Sequence, residues 1–195
     1  MTASAPSSRG GVFAWPRMSI RPGESLWSLV HRFLWLNTPT WRDLERSFGC
    51  PSLAPFSLLY GVRLLTPQVV GRISFDRSRL ARALSLPMRR WESATLAWLR
   101  GTPVDDVCAD MRFCPVCLRM GYHTILFQLT CVATCPLHGV PLVQGCTKCG
   151  FALSPDLNLV ALASPFACPQ CGHPIAPAES LVNPPPVDGQ PLSGL

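Results

Sequence analysis

In the first hundred residues, apolar positions recur at helical spacing. Leu26, Leu29, Val30, Phe33 and Leu34 share one face of a predicted helix. Arg21-Pro22-Gly23-Glu24 precedes them as a start signal, and Asn37 and Pro39 predict the end. Thr40-x-x-Asp43 is a variant of the capping box. It opens a short helix with Trp41, Leu44 and Phe48 on one face, ended by Gly49. Pro51 and Pro55 mark a turn. Residues 56–71 follow no single period, and the pattern around Leu58 and Tyr60 suggests one more short helix.

From Arg79 to Leu99, apolar residues fall at Leu80, Ala81, Leu84, Leu86, Trp91 and Ala94, with a turn at Ser85-Leu86-Pro87. This is helix-turn-helix spacing, in which the small residue at 81 lets two helices cross closely. Ser85 stands where glycine is commoner, and Trp91 is bulky for its slot. Arg79 and Arg82 lie on the first of these helices, Arg89 and Arg90 near the start of the second. On one reading the four arginines meet nucleic-acid phosphates or the acids of a partner. An ordinary helical hairpin with a solvated or protein-docking basic face fits the same pattern.

The second half of the chain is organised by ligand pairs instead. Cys114/Cys117, Cys135/His138, Cys146/Cys149 and Cys168/Cys171 are each separated by two residues. A two-residue spacer on a tight turn lets two side chains bind one ion, and two such turns complete a tetrahedron. The spacing predicts two structural zinc sites, Cys114/Cys117/Cys135/His138 and Cys146/Cys149/Cys168/Cys171. A disulfide framework is the competing explanation, but paired Cys-x2-Cys turns without an export signal read as metal in a reducing cytosol. RING and LIM modules share the ligand order, and RING modules pair the first and third turns. The seven residues Gly139–Gly145 between the second and third turns favour two successive ribbons. Cys50, Cys108 and Cys131 are left over, and they are read as buried small hydrophobes, with Cys131 the nearest competing ligand.

Composition narrows this further. Of the 195 residues 48% are hydrophobic, which implies a real core. Net charge is +6, but it divides into +9 over residues 1–100 and −3 over 101–195. An arginine-dominated half suggests a polyanion or an acidic partner surface, although a high-GC composition bias gives the same excess. The apolar stretch Leu26–Leu36 is interrupted by His31 and Arg32, so no membrane span is expected. The expected fold class is α plus small zinc-ribbon β. The expected domains are a flexible leader (1–17), a helical, helix-turn-helix-like domain (18–105), two tandem zinc ribbons (106–178) and a Pro-rich flexible tail (179–195).

No enzyme is expected. The chain lacks a Gly-x4-Gly-Lys-Ser/Thr loop, a His-Glu-x2-His pair and a His-x-Glu deaminase box. Asp105, Asp106 and Asp110 sit in one short loop with no supporting motif for a metal nuclease. A zinc site with four protein ligands keeps no position open for water. A DNA-binding transcription regulator and, less favoured, a RING-like ubiquitin ligase are the alternatives.

Several of these residues resemble a known family. Arg21-Pro22-Gly23-Glu24-Ser25-Leu26-Trp27-Ser28-Leu29 is similar to the N-terminal signature of the TniQ family, which includes TnsD-like proteins. Phe113-Cys114-Pro115-Val116-Cys117-Leu118, Tyr122-His123, Gln128, Cys135-Pro136-Leu137-His138-Gly139 and Cys146-Thr147-Lys148-Cys149-Gly150 extend the likeness over roughly residues 18–173. The resemblance implies a non-catalytic adaptor of targeted DNA transposition. Such an adaptor links a CRISPR effector complex or target DNA to an AAA+ ATPase regulator, which recruits the transposase. The expected cofactors are two structural Zn2+ ions, and the expected setting is the bacterial cytoplasm, at the nucleoid when bound. The chain length resembles the compact members of CRISPR-associated elements, which favours bridging over autonomous site recognition. Tyr122, His123 and Gln128 lie inside the first ribbon, where docking and packing are both open.

Overall fold

The computed structural model describes residues 13–15, 20–49, 76–96, 106–108, 110–153, 155, 162–177 and 181. The helix suggested around Leu58 and Tyr60 lies outside the described residues, as do Cys50 and Asp105.

Helix α1 runs Leu26–Asn37. The Ser25 hydroxyl accepts the Ser28 N–H at its start, and Thr38 ends it in the left-handed region, donating its N–H to Leu34. These caps satisfy backbone groups that a helix leaves orphaned. All nine residues from Leu26 to Leu34 are buried, His31 and Arg32 included. A helix buried on every face sits at the centre of its fold. Helix α2 (Trp41–Phe48) starts with the expected capping box, in which Thr40 and Asp43 exchange bonds. It packs on helix α3 (Arg77–Ala83), whose first N–H groups are taken by the Asp76 carboxylate. The Asp76 N–H in turn donates to the Phe48 carbonyl at 2.6 Å.

Helix α4 (Met88–Ser93) follows after a turn in which Ser85 has φ +52° and the Leu86 N–H reaches the Ala81 carbonyl. Ala81 is buried, and Trp91 is wholly buried. The Arg77 guanidinium lies 5.4 Å from the Trp91 ring centroid. The bulk that the spacing argument found awkward is therefore part of the core. At the end of α4 the Ala94 carbonyl accepts the Leu26 N–H at 2.8 Å, tying the hairpin to the start of α1.

Among its described residues, the second half has little regular structure. Strand β1 (Arg112–Phe113) pairs antiparallel with β2 (Val143–Gln144), Arg112 opposite Gln144 and Phe113 opposite Val143. Between them lie helix α5 (Pro115–Arg119) and a 3-10 turn, Ile125–Gln128. Isolated bridges join Thr134 to Pro141 and Ala167 to Pro174.

Among the described residues, the larger of two core clusters draws on both halves of the chain. Leu26, Leu29, Phe33, Leu44, Leu80, Leu84 and Trp91 share it with Met111, Phe113, Leu118, Ile125, Leu153 and Phe166. Full burial of each large apolar side chain contributes about 1.5–3 kcal/mol. Part of the expected leader joins in. Phe13 packs on Phe33 and Phe48, and Asn37 exchanges two hydrogen bonds with the Ala14 backbone. Leu181, in the expected tail, is also buried in this core. Among the described residues, no helix is long and apolar enough to cross a membrane.

Candidate metal centres

Three of the four ligand turns have one geometry. In Cys135-x2-His138-Gly139, Cys146-x2-Cys149-Gly150 and Cys168-x2-Cys171-Gly172, the glycine N–H donates back to the first cysteine's carbonyl at 2.8–2.9 Å. The three glycines have φ of +65°, +73° and +67°. This left-handed conformation is open to glycine at no steric cost, which is why a glycine follows each ligand pair. The first cysteine of each turn also donates its N–H across the hairpin, to Val140, Phe151 and His173 respectively.

The first turn is different. Cys114 is the N-cap of α5, with Pro115 in the first helical turn, and its sulfur accepts the Cys117 N–H at 3.4 Å. Pro at this position has no N–H to leave unsatisfied. No glycine follows Cys117 because the chain continues as helix through Arg119.

The ligands assemble in sequential order, Cys114, Cys117, Cys135 and His138 in one cluster and Cys146, Cys149, Cys168 and Cys171 in the other. The first and third turns do not share a site, so the RING pairing is not the one formed. A tetrahedral ion with metal–sulfur bonds of about 2.3 Å separates its sulfurs by about 3.8 Å and sulfur from nitrogen by about 3.6 Å. In the first cluster the Cys117 and Cys135 sulfurs are 3.6 Å apart. His138 Nδ1 lies 3.6, 3.2 and 3.4 Å from the sulfurs of Cys114, Cys117 and Cys135. In the second, Cys146 and Cys171 are 3.8 Å apart, and Cys149 and Cys168 are 3.6 Å apart. Both donor sets fit a tetrahedral ion.

Their surroundings differ. Cys114, Cys117 and Cys135 are no more than 1% exposed and lie against Tyr122 and Phe127. Burial pushes the Cys117 thiol far above its ordinary range, and the neighbouring Cys114 and Cys135 push it further. Burial raises Cys114 as well. Ionised as thiolates at this depth, these cysteines would need a cation among them. In the second cluster Cys146 and Cys168 are buried, but Cys149 and Cys171 are exposed.

The segment that follows the first ligand turn, residues 120–124, is bonded to the start of α1. Glu24 forms a β-bridge with Thr124, and the Ser25 N–H donates to the His123 carbonyl at 2.8 Å. Arg21 donates to the carbonyls of Met120 (2.7 Å) and Gly121 and stacks on the Tyr122 ring. The Tyr122 hydroxyl returns a bond to the Pro22 carbonyl at 2.9 Å. Behind this seam the Glu24 carboxylate accepts from Arg21, Ser28 and Arg32, the last at 2.8 and 3.0 Å. The segment read as a helix start is therefore also a buried ionic junction. The Pro-Gly-Glu-Ser motif was the signal in the sequence. The partners, about a hundred residues away, carried none.

Tyr122, His123 and Gln128 all face inward. His123 Nε2 and Gln128 Nε2 both donate to the Arg112 carbonyl at 2.9 Å. Because that carbonyl only accepts, the imidazole carries its proton on Nε2, and the Ser25 hydroxyl donates to Nδ1 at 2.7 Å. Burial lowers the His123 pKa to about 4, so the ring is neutral. These three residues pack the ribbon and offer no docking surface. His31, stacked on Trp27 with ring centroids 4.2 Å apart, is lowered to about 3, mainly by burial.

Arg79, Arg82, Arg89 and Arg90 are all exposed on the α3–α4 hairpin. Arg79 is within 3.6 Å of the Asp76 carboxylate, itself partly exposed, and Arg82 bonds the Ser78 carbonyl. Cys131 is exposed and Cys108 half-buried beside the Arg112 guanidinium, so neither is the buried small hydrophobe expected. Asp106 and Asp110 are exposed and belong to no cluster of metal-ligating groups among the described residues. No family model matches the chain, and no curated protein matches it significantly.

Proposed function

We propose that this chain is a non-catalytic adaptor of targeted DNA transposition, of the kind its TniQ resemblance implies. In this reading the two clusters hold Zn2+, which suits three thiolates with an imidazole, and four thiolates, at tetrahedral spacing. Cys114, Cys117, Cys135 and His138 hold one ion, and Cys146, Cys149, Cys168 and Cys171 the other. Each would be four-coordinate through protein atoms and act as a staple. The chemistry such an ion supplies is charge to keep the thiolates ionised and a fixed angle between hairpins.

One observation carries the reading. The Arg21–Ser25 segment, which carries part of the resemblance, is hydrogen-bonded to Met120, Gly121 and Tyr122, just after the first ligand turn, across 99–100 residues of chain. In this reading the two segments act as one unit, from which a helical face and a ribbon face are offered to different partners at once. Simultaneous engagement of two weak contacts raises effective concentration, which is how an adaptor couples them. The partners in this proposal are an AAA+ ATPase regulator on one side and a CRISPR effector complex or target DNA on the other. The setting is the bacterial cytoplasm, at the nucleoid when bound.

The exposure of Arg79, Arg82, Arg89 and Arg90 on one hairpin supports a second reading, a helix-turn-helix regulator that binds DNA alone. Duplex binding measured with and without the ATPase separates the two. An adaptor binds DNA weakly alone and more tightly with the ATPase. A regulator binds tightly alone, with a steep salt slope. In either reading, Arg89→Glu with Arg90→Glu weakens binding and lowers the salt slope by about 2 where phosphates are the target. Unchanged binding to both DNA and the ATPase contradicts the assignment of this face.

A further inference from the structure

The second cluster pairs each exposed cysteine with a buried one. Cys149 is exposed and faces Cys168, 2% exposed, at 3.6 Å; Cys171 is exposed and faces Cys146, 3% exposed, at 3.8 Å. The first cluster has no such pair, since its three cysteines are all buried and its fourth ligand is an imidazole. Thiolate oxidation follows access and thiolate character. A four-thiolate site also carries one more negative charge than a three-thiolate, one-imidazole site around the same ion. Both differences point to the second cluster.

We propose that the second cluster is an oxidisable thiol site for hydroperoxides, with Cys149 and Cys171 as attacking groups and Cys168 and Cys146 as the thiolates that resolve them. The proposal rests on the metal assignment above. In the first step a Cys149 thiolate attacks the peroxide oxygen. The O–O bond breaks, hydroxide or alkoxide leaves, and the sulfur is left as a sulfenic acid. In the second, the Cys168 thiolate attacks that sulfur, hydroxide leaves, and a disulfide forms. Two thiolates have given up two electrons and the peroxide has taken them. Cys171 and Cys146 follow the same course. A disulfide removes two of four ligands, so the site no longer holds its ion.

The effect reaches the core. Phe166, two residues before Cys168, packs edge-on against Trp27 and His31 with centroids 5.4 and 5.5 Å apart. Release at the second cluster loosens that face of α1, while the Arg21–Glu24 junction and the first cluster stay bonded.

The test uses the full chain carrying two ions, treated with hydrogen peroxide. Released metal is followed with a colorimetric chelator, and disulfides are mapped by non-reducing peptide analysis. The expected result is loss of one ion per chain, with Cys149–Cys168 or Cys146–Cys171 disulfides and an intact first cluster. Simultaneous loss of both ions, or disulfides among Cys114, Cys117 and Cys135, overturns the proposal. So does a Cys108–Cys131 disulfide with both ions retained. The double variant Cys149→His/Cys171→His keeps four ligands and removes both exposed thiolates. It is expected to keep both ions under peroxide, and release at the wild-type rate would overturn the proposal. A starting preparation with no ion at the second cluster contradicts the metal assignment itself, and the proposal with it.

Discussion

Cys114, Cys117 and Cys135 lie beneath Tyr122 and Phe127, beside a segment bonded to the start of α1, whereas Cys149 and Cys171 sit on exposed hairpin tips. Both clusters have two-residue spacers and nearly the same gap between turns, yet their surroundings have little in common. The difference comes from what precedes each. The first is opened by a helix, α5, and packed under Tyr122 and Phe127; the second is built from two glycine-ended turns. Ligand spacing sets which atoms meet an ion. It does not set how deep the ion lies, and depth decides whether a centre works as a foundation or as an accessible site.

The largest effect expected from this contrast concerns single ligands. Cys117→Ser should abolish metal at the first cluster and unfold the chain, α1 included. Structural zinc supplies an apparent 10–16 kcal/mol, roughly, in small finger peptides. Cys171→Ser should lose only the second ion and keep most of the helical signal. Metal content with far-UV circular dichroism checks both, and equal damage from the two would dissolve the distinction.

Next is the junction. Glu24→Gln preserves shape but removes the carboxylate that Arg21 and Arg32 share. Breaking a buried ion pair from one side costs about 3–5 kcal/mol. Urea denaturation should show a loss of that order, and a loss below about 1 kcal/mol would demote the junction to ordinary packing.

A smaller effect is expected from pH. His31 is held at about 3 and is neutral in the folded chain, whereas the unfolded chain protonates it near 6.5. Its contribution is therefore fully present above pH 6.5 and falls as pH drops from 6.5 toward 3, by up to about 1.4 kcal/mol per pH unit. His31→Phe should reduce the slope of stability against pH between 5 and 6.5 by about half, leaving the similar part owed to His123. A slope identical to wild type would show that His31 is protonated in the fold. Smallest of all, Arg89→Glu with Arg90→Glu should change stability by no more than about 0.5 kcal/mol, since both side chains are exposed. Only binding should respond.

Much of this was legible in the residue order. All eight ligands and their sequential grouping follow from spacing, because a two-residue turn has few ways to bring its ends together. The bounds of α1 and α2 follow from Arg21–Glu24 with Asn37 and from Thr40, Asp43 and Gly49, because start and stop signals are local chemistry, although the cap itself is Ser25. The junction was not legible. Arg21 meets the carbonyls of Met120 and Gly121, and backbone acceptors leave no mark in a sequence. The inward facing of Tyr122, His123 and Gln128 was equally hidden, since a polar side chain reads the same whether it bonds a partner protein or the Arg112 carbonyl. Trp91 misled for a related reason, as its slot accepts bulk because Arg77 covers the ring.

The inequivalence of the two centres is tested most directly by native mass spectrometry of the full chain during titration with a chelator. The account predicts a species with one ion. Alkylation of that species should mark Cys146, Cys149, Cys168 and Cys171 while sparing Cys114, Cys117 and Cys135. Loss of both ions in a single step, or a remaining ion held by the second cluster, would contradict it.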